Sequence, residues 1–301
     1  METIHVKAQI IRISIALANK LSFLFPDSIY LTIQFYLRMG YPLNLDNPQT
    51  FSEKLQWLKL YNRNPLYTTL VDKYAVKEYV VKIIGEKHII PTIGVWDSPK
   101  QIEWDSLPKK FVLKTTHGGG SNGVVVCANK DDIDKASLVK KLTLSLKQDI
   151  YNDFREWPYK FVPKRIIAEK FMSQNDGSSL IDYKFFCFNG VPRFVYVSQN
   201  VPGYKRSISA FLSTNWELLP FKKKSDSFST TCPIKPRQFH EMLDIARKLA
   251  NNIPFVRVDL YEINDIVYFS ELTFYPSSGM QPIQPIEWDI QLGELLVLPK
   301  T

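Results

Sequence analysis

A run of alternating residues between 255 and 274 constrains this chain more than any other feature. Apolar and polar side chains alternate over 255–261 and again over 266–274, and Asn264-Asp265 separates the two runs. Two such runs around a short polar turn predict a β-hairpin. A solvated surface ribbon is the alternative, but the apolar positions on both runs favour a hairpin that belongs to a core sheet.

The polar face of this hairpin carries charges that are costly to bury. Arg257 and Asp259 share one face of the first strand, and Glu271 and Thr273 share one face of the second. Pairing the strands brings the carboxylates together, and they repel each other unless a cation lies between them. Mg²⁺ prefers oxygen ligands and commonly accompanies nucleotide phosphates. The hairpin therefore predicts a magnesium site beside the Pro-Ser-Ser-Gly turn at 276–279.

A second segment, residues 110–127, predicts a phosphate-binding loop. Two apolar strands flank the sequence Lys114-Thr-Thr-His-Gly-Gly-Gly-Ser-Asn-Gly123, in which four of the chain's twelve glycines fall within six residues. Glycine lets the backbone approach a ligand closely, and successive N–H groups in such a loop bind anions. A flexible turn is the alternative, but the glycine density and the adjoining lysine favour phosphate binding.

Two catalytic motifs are excluded by the surroundings of this loop. Gly119-Gly-Ser-Asn-Gly123 fits the G-x-S-x-G nucleophile elbow, which requires a helix after the serine, whereas 124–128 predicts a strand. A Walker A motif needs Gly-Lys-Ser/Thr leading into a helix, which is missing here. The loop therefore indicates neither a serine hydrolase nor a Walker A nucleotide site.

In this order along the chain, the features resemble the ATP-grasp superfamily, which includes D-alanine–D-alanine ligase. Over about residues 30–300 the chain is similar to the TupA-like ATP-grasp family. The segments that carry the resemblance are 51–60 (FSEKLQWLKL), 72–80 (DKYAVKEYV), 111–118 (FVLKTTHG), 182–190 (DYKFFCFNG) and 286–289 (IEWD). The resemblance implies an α+β ATP-grasp fold, with two α+β lobes that grip ATP and Mg²⁺. It divides the chain into a helical region (1–70), a lid lobe (71–172) and a C-terminal lobe with the hairpin (173–301).

The resemblance also implies which residues bind ATP. Lys73 and Lys114 are expected at the α- and β-phosphates, the glycine-rich loop over the triphosphate, and 169–172 at the adenine. Asp182 is expected near the ribose and Lys184 near the γ-phosphate. For two of the candidates a structural explanation is equally good: His117 fits a loop histidine without chemistry, and Lys184 fits an ion pair with Asp182 on the same face of the strand. The full set is Lys73, Lys114, His117, Gly118, Gly119, Gly120, Ser121, Glu169, Lys170, Phe171, Met172, Asp182 and Lys184.

Catalysis and metal binding are expected at the hairpin and the turn after it. The resemblance implies that Arg257 stabilises charge during phosphoryl transfer. It also implies that Ser278 and Gly279 face the acyl phosphate or the acceptor. The expected metal ligands are Asp259, Glu271 and Thr273. Most ATP-grasp enzymes carry asparagine at the position of Thr273, so a second metal position stays open.

The implied activity is ATP-dependent carboxylate–amine ligation through an acyl phosphate. The family's usual setting implies surface-polysaccharide synthesis, joining an amino acid or amino sugar to a uronic acid or acidic amino acid. A glycosyltransferase that uses Asp132-Ile-Asp134 as a D-x-D metal motif is one alternative, although aspartate is also common at helix starts. A non-catalytic protein that binds an anionic polymer is another.

The composition of the chain limits the classes of binding partner and the cellular compartment that we expect. The formal charge of +8 comes without a nucleic-acid-binding module, so we expect no nucleic acid and favour an acidic polymer or lipid phosphate. Cys127, Cys187 and Cys232 lack metal-ligand spacing, which favours a reducing cytoplasm. We expect no signal peptide and no membrane span. The oligomeric state stays open.

The N-terminal helix is amphipathic. Val6, Ile10, Ile13 and Leu17 follow helical spacing, and Lys7, Arg12 and Lys20 occupy other positions. Such a helix either lies on the inner face of a membrane or packs on the catalytic body, and we favour packing. Further helices are predicted over 27–38, from Thr50 with a Glu53 capping box, and over 64–85, 137–150 and 236–252.

Overall fold

Helices and strands are interspersed along the chain in this computed structural model, which describes residues 2–120, 123–199, 208–226, 229 and 231–300. The helices are α1 Glu2–Lys20, α2 Asp27–Met39, α3 Phe51–Tyr61, α4 Leu66–Val71, α5 Ala75–Ile84, α6 Lys135–Leu146, α7 Ile150–Phe154, α8 Phe239–Leu249 and α9 Glu287–Leu295. The strands are β1 Thr92–Trp96, β2 Phe111–Thr115, β3 Val124–Cys127, β4 Ile166–Lys170, β5 Asp182–Phe188, β6 Val191–Gln199, β7 Ile208–Ser213, β8 Lys222–Lys223, β9 Phe255–Ile263, β10 Ile266–Thr273 and β11 Ile283–Gln284. This mixture confirms the predicted α+β class.

The first sheet, which we call the lid sheet, has the antiparallel order β1-β4-β2-β3. Its strands alternate, so that Phe111 and Leu113 are buried in an apolar cluster with Leu142 of α6. Lys114 and Glu169 therefore lie on the opposite face of the sheet. This arrangement leaves one face of the lid sheet free to carry charged site residues.

The second sheet, which we call the core sheet, has the antiparallel order β10-β9-β5-β6-β7. One face packs on α8, where the Phe185 ring stacks on Phe239 with 6.1 Å between centroids. The other face carries Asp182 and Lys184 of β5 together with the charges of β9 and β10. The small ribbon β8–β11 is separate from both sheets. The chain passes from the lid sheet to the core sheet between β4 and β5, and the domain limits at 70/71 and 172/173 stay predictions.

The helices of the N-terminal region agree with the sequence predictions except that one predicted helix is divided in two. The predicted capping box of α3 is confirmed, since the Thr50 hydroxyl accepts from the Glu53 N–H and the Glu53 side chain accepts in return. The single helix predicted over 64–85 is wrong, because the chain breaks between α4 and α5. There the Asp72 carboxylate accepts from the N–H groups of Tyr74 and Ala75, so it starts a new helix.

The predicted helix over 137–150 is divided in the same way. It forms α6 and α7, and the Asp149 side chain caps α7 by accepting from the Asn152 N–H at 3.0 Å. Asp134 caps α6, which gives the second aspartate of the Asp132-Ile-Asp134 motif a structural role. Cys127 and Cys187 are buried in strands, as expected, and Cys232 is exposed.

Candidate active site

The hairpin at the centre of the site forms as the sequence predicts. Asn264 and Asp265 both adopt positive φ, of 52° and 63°, as a tight hairpin turn requires. Past a bulge between Phe269 and Glu271, the register pairs Glu271 with Asp259 and Thr273 with Arg257. The two predicted carboxylates are therefore direct cross-strand neighbours.

Arg257 lies among all three predicted metal ligands. Its Nη2 is 2.6 Å from Asp259 Oδ2, 3.4 Å from Glu271 Oε1 and 3.0 Å from Thr273 Oγ1. A second bond, from Nε to Asp259 Oδ1, makes the Asp259 contact bidentate. Asp259 is fully buried. Burial alone would lower the pKa of Arg257, but Asp259 and Glu271 raise it above its ordinary value.

Lys184 extends this charge network onto the next strand. It pairs in register with Asp259, and its Nζ lies 3.2 Å from Asp259 Oδ2 and also contacts the Asp182 carboxylate. Burial, followed by the charge of Asp259, raises the pKa of Asp182 to about 6. The predicted same-face pair of Asp182 and Lys184 is thus present, within contact of the proposed metal ligands.

Lys73 joins the glycine-rich loop to the hairpin. It lies in the break between α4 and α5, and its N–H donates to Thr116 O at 3.0 Å. Its ammonium is 2.5 Å from Gly118 O and 3.3 Å from Glu271 Oε2. Burial would raise the pKa of Glu271, but the charges of Lys73, Arg257 and Lys184 lower it to about 2. The loop and the acidic strand therefore face each other across one lysine side chain.

The Glu169 carboxylate forms ion pairs with two lysines on the charged face of the lid sheet. Lys114 Nζ lies 2.6 Å from one carboxylate oxygen and Lys77 Nζ 2.5 Å from the other. Burial opposes ionisation of Glu169, but the two lysines lower its pKa overall. Sequence reasoning missed Lys77, although it lies in the segment 72–80 and follows Lys73 by one helical turn. A cavity of about 620 Å³ opens beside Lys77 and is lined further by Thr92 and Arg165.

The glycine-rich loop is packed against the strand that precedes it. A Cβ at Gly118 or Gly123 would come within 2.4 Å or 2.3 Å of Thr115 Oγ1, and Gly120 adopts φ +64°. His117 is buried, and burial followed by the charges of Lys164 and Lys73 lowers its pKa to about 4. Gly119 lies in the described part of the loop, and the predicted site residue Ser121 lies outside it.

The remaining adenine-site candidates follow Glu169 directly. Lys170 is exposed at the end of β4, and Phe171 and Met172 are half-buried where the chain leaves the lid sheet. The Lys110 ammonium lies 5.8 Å from the centre of the Phe171 ring. Phe171 and Met172 thus lie on the segment that leads from the lid sheet toward the core sheet, and their contact with adenine stays a prediction.

The turn that contains Ser278 and Gly279 is held by α3. Ser277, Ser278 and Gly279 all adopt positive φ, of 50°, 58° and 63°. The fully buried Lys59 ammonium donates to Ser278 Oγ at 2.7 Å and to Ser278 O at 2.8 Å, and Gln56 donates to Gly279 O at 3.0 Å. Sequence reasoning gave Lys59 and Gln56 no role, although both lie in the segment 51–60 that carries the family resemblance.

The donor set at the hairpin fits Mg²⁺. Asp259, Glu271 and Thr273 supply oxygen atoms around one point, and a guanidinium nitrogen already lies there, so the geometry favours a cation. Mg²⁺ commonly takes one or two carboxylates and completes its shell with phosphate and water. Among the described residues there is no group of three or more His, Cys, Asp or Glu arranged for a metal, so phosphate or water would have to complete the coordination.

Comparison with known proteins identifies the family. The sequence matches the family described as TupA-like ATPgrasp over residues 53–297. The chain belongs to the TupA-like ATP-grasp family. This confirms the predicted ATP-grasp fold. A search of curated proteins found no match.

Among solved structures, this TupA-like ATP-grasp protein is similar to a D-alanine–D-alanine ligase from Helicobacter pylori, with 16% identity, a TM-score of 0.43, and coverage of 83% of this chain and 70% of that chain. It is also similar to D-alanyl-alanine synthetase A from Vibrio cholerae O1 biovar eltor str. N16961, with 10% identity, a TM-score of 0.45, and coverage of 75% of this chain and 63% of that chain. A third similar structure is N5-carboxyaminoimidazole synthase from Aspergillus clavatus in complex with ADP and 5-aminoimidazole ribonucleotide, with 11% identity, a TM-score of 0.37, and coverage of 68% of this chain and 44% of that chain. The chain thus spans less than two thirds of the latter two proteins, and the likeness concerns the fold.

Proposed function

We propose that the protein is an ATP-dependent carboxylate–amine ligase that uses Mg²⁺. The contact of Lys73 with both Gly118 O and Glu271 Oε2 is the observation that carries this proposal. It sets a glycine-rich loop suited to phosphates opposite a pair of carboxylates suited to a metal ion, the buried Asp259 and the partly exposed Glu271. Family membership supports ATP as the nucleotide.

ATP, as we propose, binds in the space between the two sheets. The triphosphate lies under the loop 118–121, where Lys73, Lys114 and Lys184 supply positive charge, and the adenine lies near Glu169. Asp259, Glu271 and Thr273 would hold Mg²⁺, which when bound neutralises charge on the phosphate oxygens. Lys73, Lys114 and Lys184 each contact a carboxylate, and these contacts hold the three lysines in position before ATP binds. When ATP binds, the lysines exchange the carboxylate contacts for phosphate contacts.

The reaction proceeds in two transfers. In the first, a carboxylate oxygen of the acid substrate attacks the γ-phosphorus, the bond to the bridging oxygen breaks, and ADP leaves. In the second, the amine attacks the acyl carbon, inorganic phosphate leaves, and the amine proton is released to give an amide. Arg257 stabilises negative charge in the first transfer, and the loop excludes water that would hydrolyse the acyl phosphate.

The substrates we propose are those of surface-polysaccharide synthesis (capsule, teichuronopeptide-like polymer or O-antigen). A uronic acid or acidic amino acid supplies the carboxylate, and an amino acid or amino sugar supplies the amine. The formal charge of +8 supports an acidic partner. The ligase is favoured over a glycosyltransferase because Asp134 accepts from the N–H groups of Ala136 and Ser137, and so caps α6.

The test is ADP release by the purified protein with MgATP and pairs of candidate acids and amines. The ligase should release ADP only when a suitable acid is present, and it should form an amide when the amine is added. Incubation with UDP-sugars, without ATP, tests the glycosyltransferase. ATP binding without ADP release for any uronic acid or acidic amino acid would contradict ligation.

Although the sequence favours packing of the N-terminal helix on the catalytic body, we propose that this helix also contacts the inner face of an anionic membrane. Among the described residues, no helix combines the length and hydropathy that a bilayer crossing requires. Helix α1 contacts α2, yet Ile10, Ile13 and Leu17 are 56%, 62% and 56% exposed, and the adjoining Phe23 is 79% exposed. Exposed apolar residues with Arg12 and Lys20 nearby suit the surface of an anionic bilayer.

Co-sedimentation with vesicles tests this location. The protein should bind phosphatidylglycerol vesicles more tightly than phosphatidylcholine vesicles, and Ile13→Asp should weaken that binding. Equal sedimentation of Ile13→Asp and the unsubstituted protein would contradict it. Dimerisation that Ile13→Asp abolishes, without vesicle binding, would instead assign this surface to a second copy of the chain.

A further inference from the structure

The charged face of the core sheet continues beyond the metal site. The register aligns Glu271 with Asp259, Asp259 with Lys184, and Lys184 with Tyr196, so these side chains form one row across four strands. Neighbouring strands are about 4.8 Å apart, which puts Tyr196 roughly 10 Å from Asp259. The ammonium of Lys223, on the ribbon strand β8, lies 3.5 Å from the centre of the Tyr196 ring.

Lys223 differs from the other cations of the site. Among the described residues, Lys73, Lys77, Lys114, Lys184 and Arg257 each contact a carboxylate within 4 Å. The Lys223 ammonium has neither such a contact nor a hydrogen-bond acceptor in the described part of the chain. The residues outside that part between 200 and 230 include no aspartate or glutamate that could pair with it.

The surroundings of Lys223 favour an anionic ligand. The nearby Asp226 carboxylate accepts from the Tyr196 hydroxyl at 2.9 Å, and from the Ser225 hydroxyl at 2.9 Å. The Lys223 side chain is half-buried, and burial lowers the pKa of Lys223 to about 8 even though Asp226 acts in the opposite direction. Partly burying an ammonium whose direct contact is an aromatic ring is costly, because a cation–π contact restores only part of its hydration and Asp226 forms no ion pair within 4 Å with Lys223. An anion bound at this point would supply the missing partner.

We propose that Lys223 binds a second anionic group of the acid substrate, a carboxylate or a phosphate, roughly 10 Å along the core sheet from the metal ligands. This inference rests on the proposed ligase function and adds to it. The reacting carboxylate lies at Arg257, and the second anion lies over Tyr196. The acid substrate therefore carries two anionic groups, which we call a dianion whatever the charge of each group, and Lys223 selects it over an acid of the same size with one anionic group.

Calorimetric titration of the full-length protein, saturated with Mg²⁺ and a non-hydrolysable ATP analogue at fixed ionic strength, tests this proposal. The probes are glucuronate, which has one anionic group, glucarate, which has two carboxylates, and glucuronate 1-phosphate, which has a carboxylate and a phosphate. At least one dianion should bind about ten times more tightly than glucuronate. Comparison of the two dianions distinguishes a second carboxylate from a phosphate.

The variants Lys223→Met, Lys223→Arg and Lys224→Met complete the test. Lys223→Met should weaken dianion binding about ten- to a hundredfold and leave glucuronate binding unchanged, because it removes one charge-assisted contact. Lys223→Arg should retain most of the preference. Lys224→Met is the matched control, because Lys224 is exposed beside it. Circular dichroism checks that each variant is folded.

Two binding results and one activity result would overturn the inference. One is that neither dianion binds more tightly than glucuronate to the unsubstituted protein. The other is that Lys223→Met and Lys224→Met bind the dianions alike. ADP release that is insensitive to Lys223→Met would overturn this inference and leave the ligase intact. Dianion binding that depends on Lys223, without ADP release, would support the subsite and contradict the ligase.

Discussion

Arg257, together with Lys184 and Lys73, neutralises the carboxylates of the predicted metal ligands Asp259 and Glu271. Asp259 is fully buried, so its carboxylate is stable there only because Arg257 and Lys184 contact it. Removing one charge leaves a partner buried and uncompensated. The site residues are therefore coupled in stability as well as in chemistry.

Asp259→Asn should abolish the proposed activity and destabilise the fold. We expect ADP release to fall at least about a hundredfold, because the charge that holds the metal and orients Arg257 is lost. The free energy of unfolding should fall by about 3–5 kcal/mol, because a buried ion pair is broken. Denaturant titration and ADP release measure the two effects. Asp265→Asn, in the exposed hairpin turn, is the control, and equal behaviour of the two variants would contradict the assignment.

His117 predicts a pH dependence of stability. Burial, with the charges of Lys164 and Lys73, lowers the pKa of His117 to about 4, whereas an unfolded histidine titrates near 6.5. Between pH 4 and pH 6.5, His117 is therefore more fully protonated in the unfolded chain than in the folded protein. The free energy of unfolding should therefore fall as pH decreases from 6.5 to 4. In His117→Gln this slope should become shallower, whereas His240→Gln, at an exposed position, serves as the control. Urea titrations at several pH values measure it, and an unchanged slope in His117→Gln would contradict this account.

At the scale of elements, the hairpin and the strand–loop–strand unit could be predicted because their signals are local. Alternation with a period of two and a turn of Asn264-Asp265 specify β9 and β10 without reference to the rest of the chain. The break between α4 and α5 at Asp72 could not be predicted in this way, because the Asp72 carboxylate also forms an ion pair at 2.9 Å with Arg165, which is distant in sequence. Lys59 was missed for the same reason, because its partner Ser278 is 219 residues away.

The glycine-rich loop supports a prediction about packing. Gly123→Ala should weaken ATP binding and lower stability by about 1–3 kcal/mol, because the new methyl group would collide with Thr115 Oγ1. Removing the hydroxyl in the double variant Gly123→Ala/Thr115→Ala should restore part of the loss. Calorimetric titration with MgATP and thermal unfolding measure both effects. Full ATP affinity in Gly123→Ala would show that the loop does not need this glycine.

At the scale of the whole molecule, the two sheets meet through side chains rather than through shared strands. Lys73 connects the loop after β2 with β10, and Lys59 connects α3 with the turn after β10. Segments far apart in sequence thus converge on one region. The family resemblance predicted this convergence, whereas the positions of Lys77, Lys59 and Lys223 depended on tertiary contacts that no local pattern encodes.

Binding of MgATP should therefore rigidify both sides of the site together. Amide hydrogen exchange is expected to slow in the loop 118–123 and in β10 when MgATP is added, because the nucleotide bridges them. Helix α1 should exchange at the same rate with and without the nucleotide, which makes it an internal control. Protection confined to one of the two segments would contradict a site shared between the sheets.

Calorimetric titration of the protein with ATP in the presence of Mg²⁺ tests the nucleotide site most directly. We expect a single class of sites, with affinity reduced at least about tenfold in both Lys114→Met and Lys73→Met, and unchanged in Lys109→Met, where the lysine is exposed. Absence of MgATP binding, or equal affinity in Lys73→Met, Lys114→Met and Lys109→Met, would contradict a nucleotide site between the glycine-rich loop and the acidic hairpin.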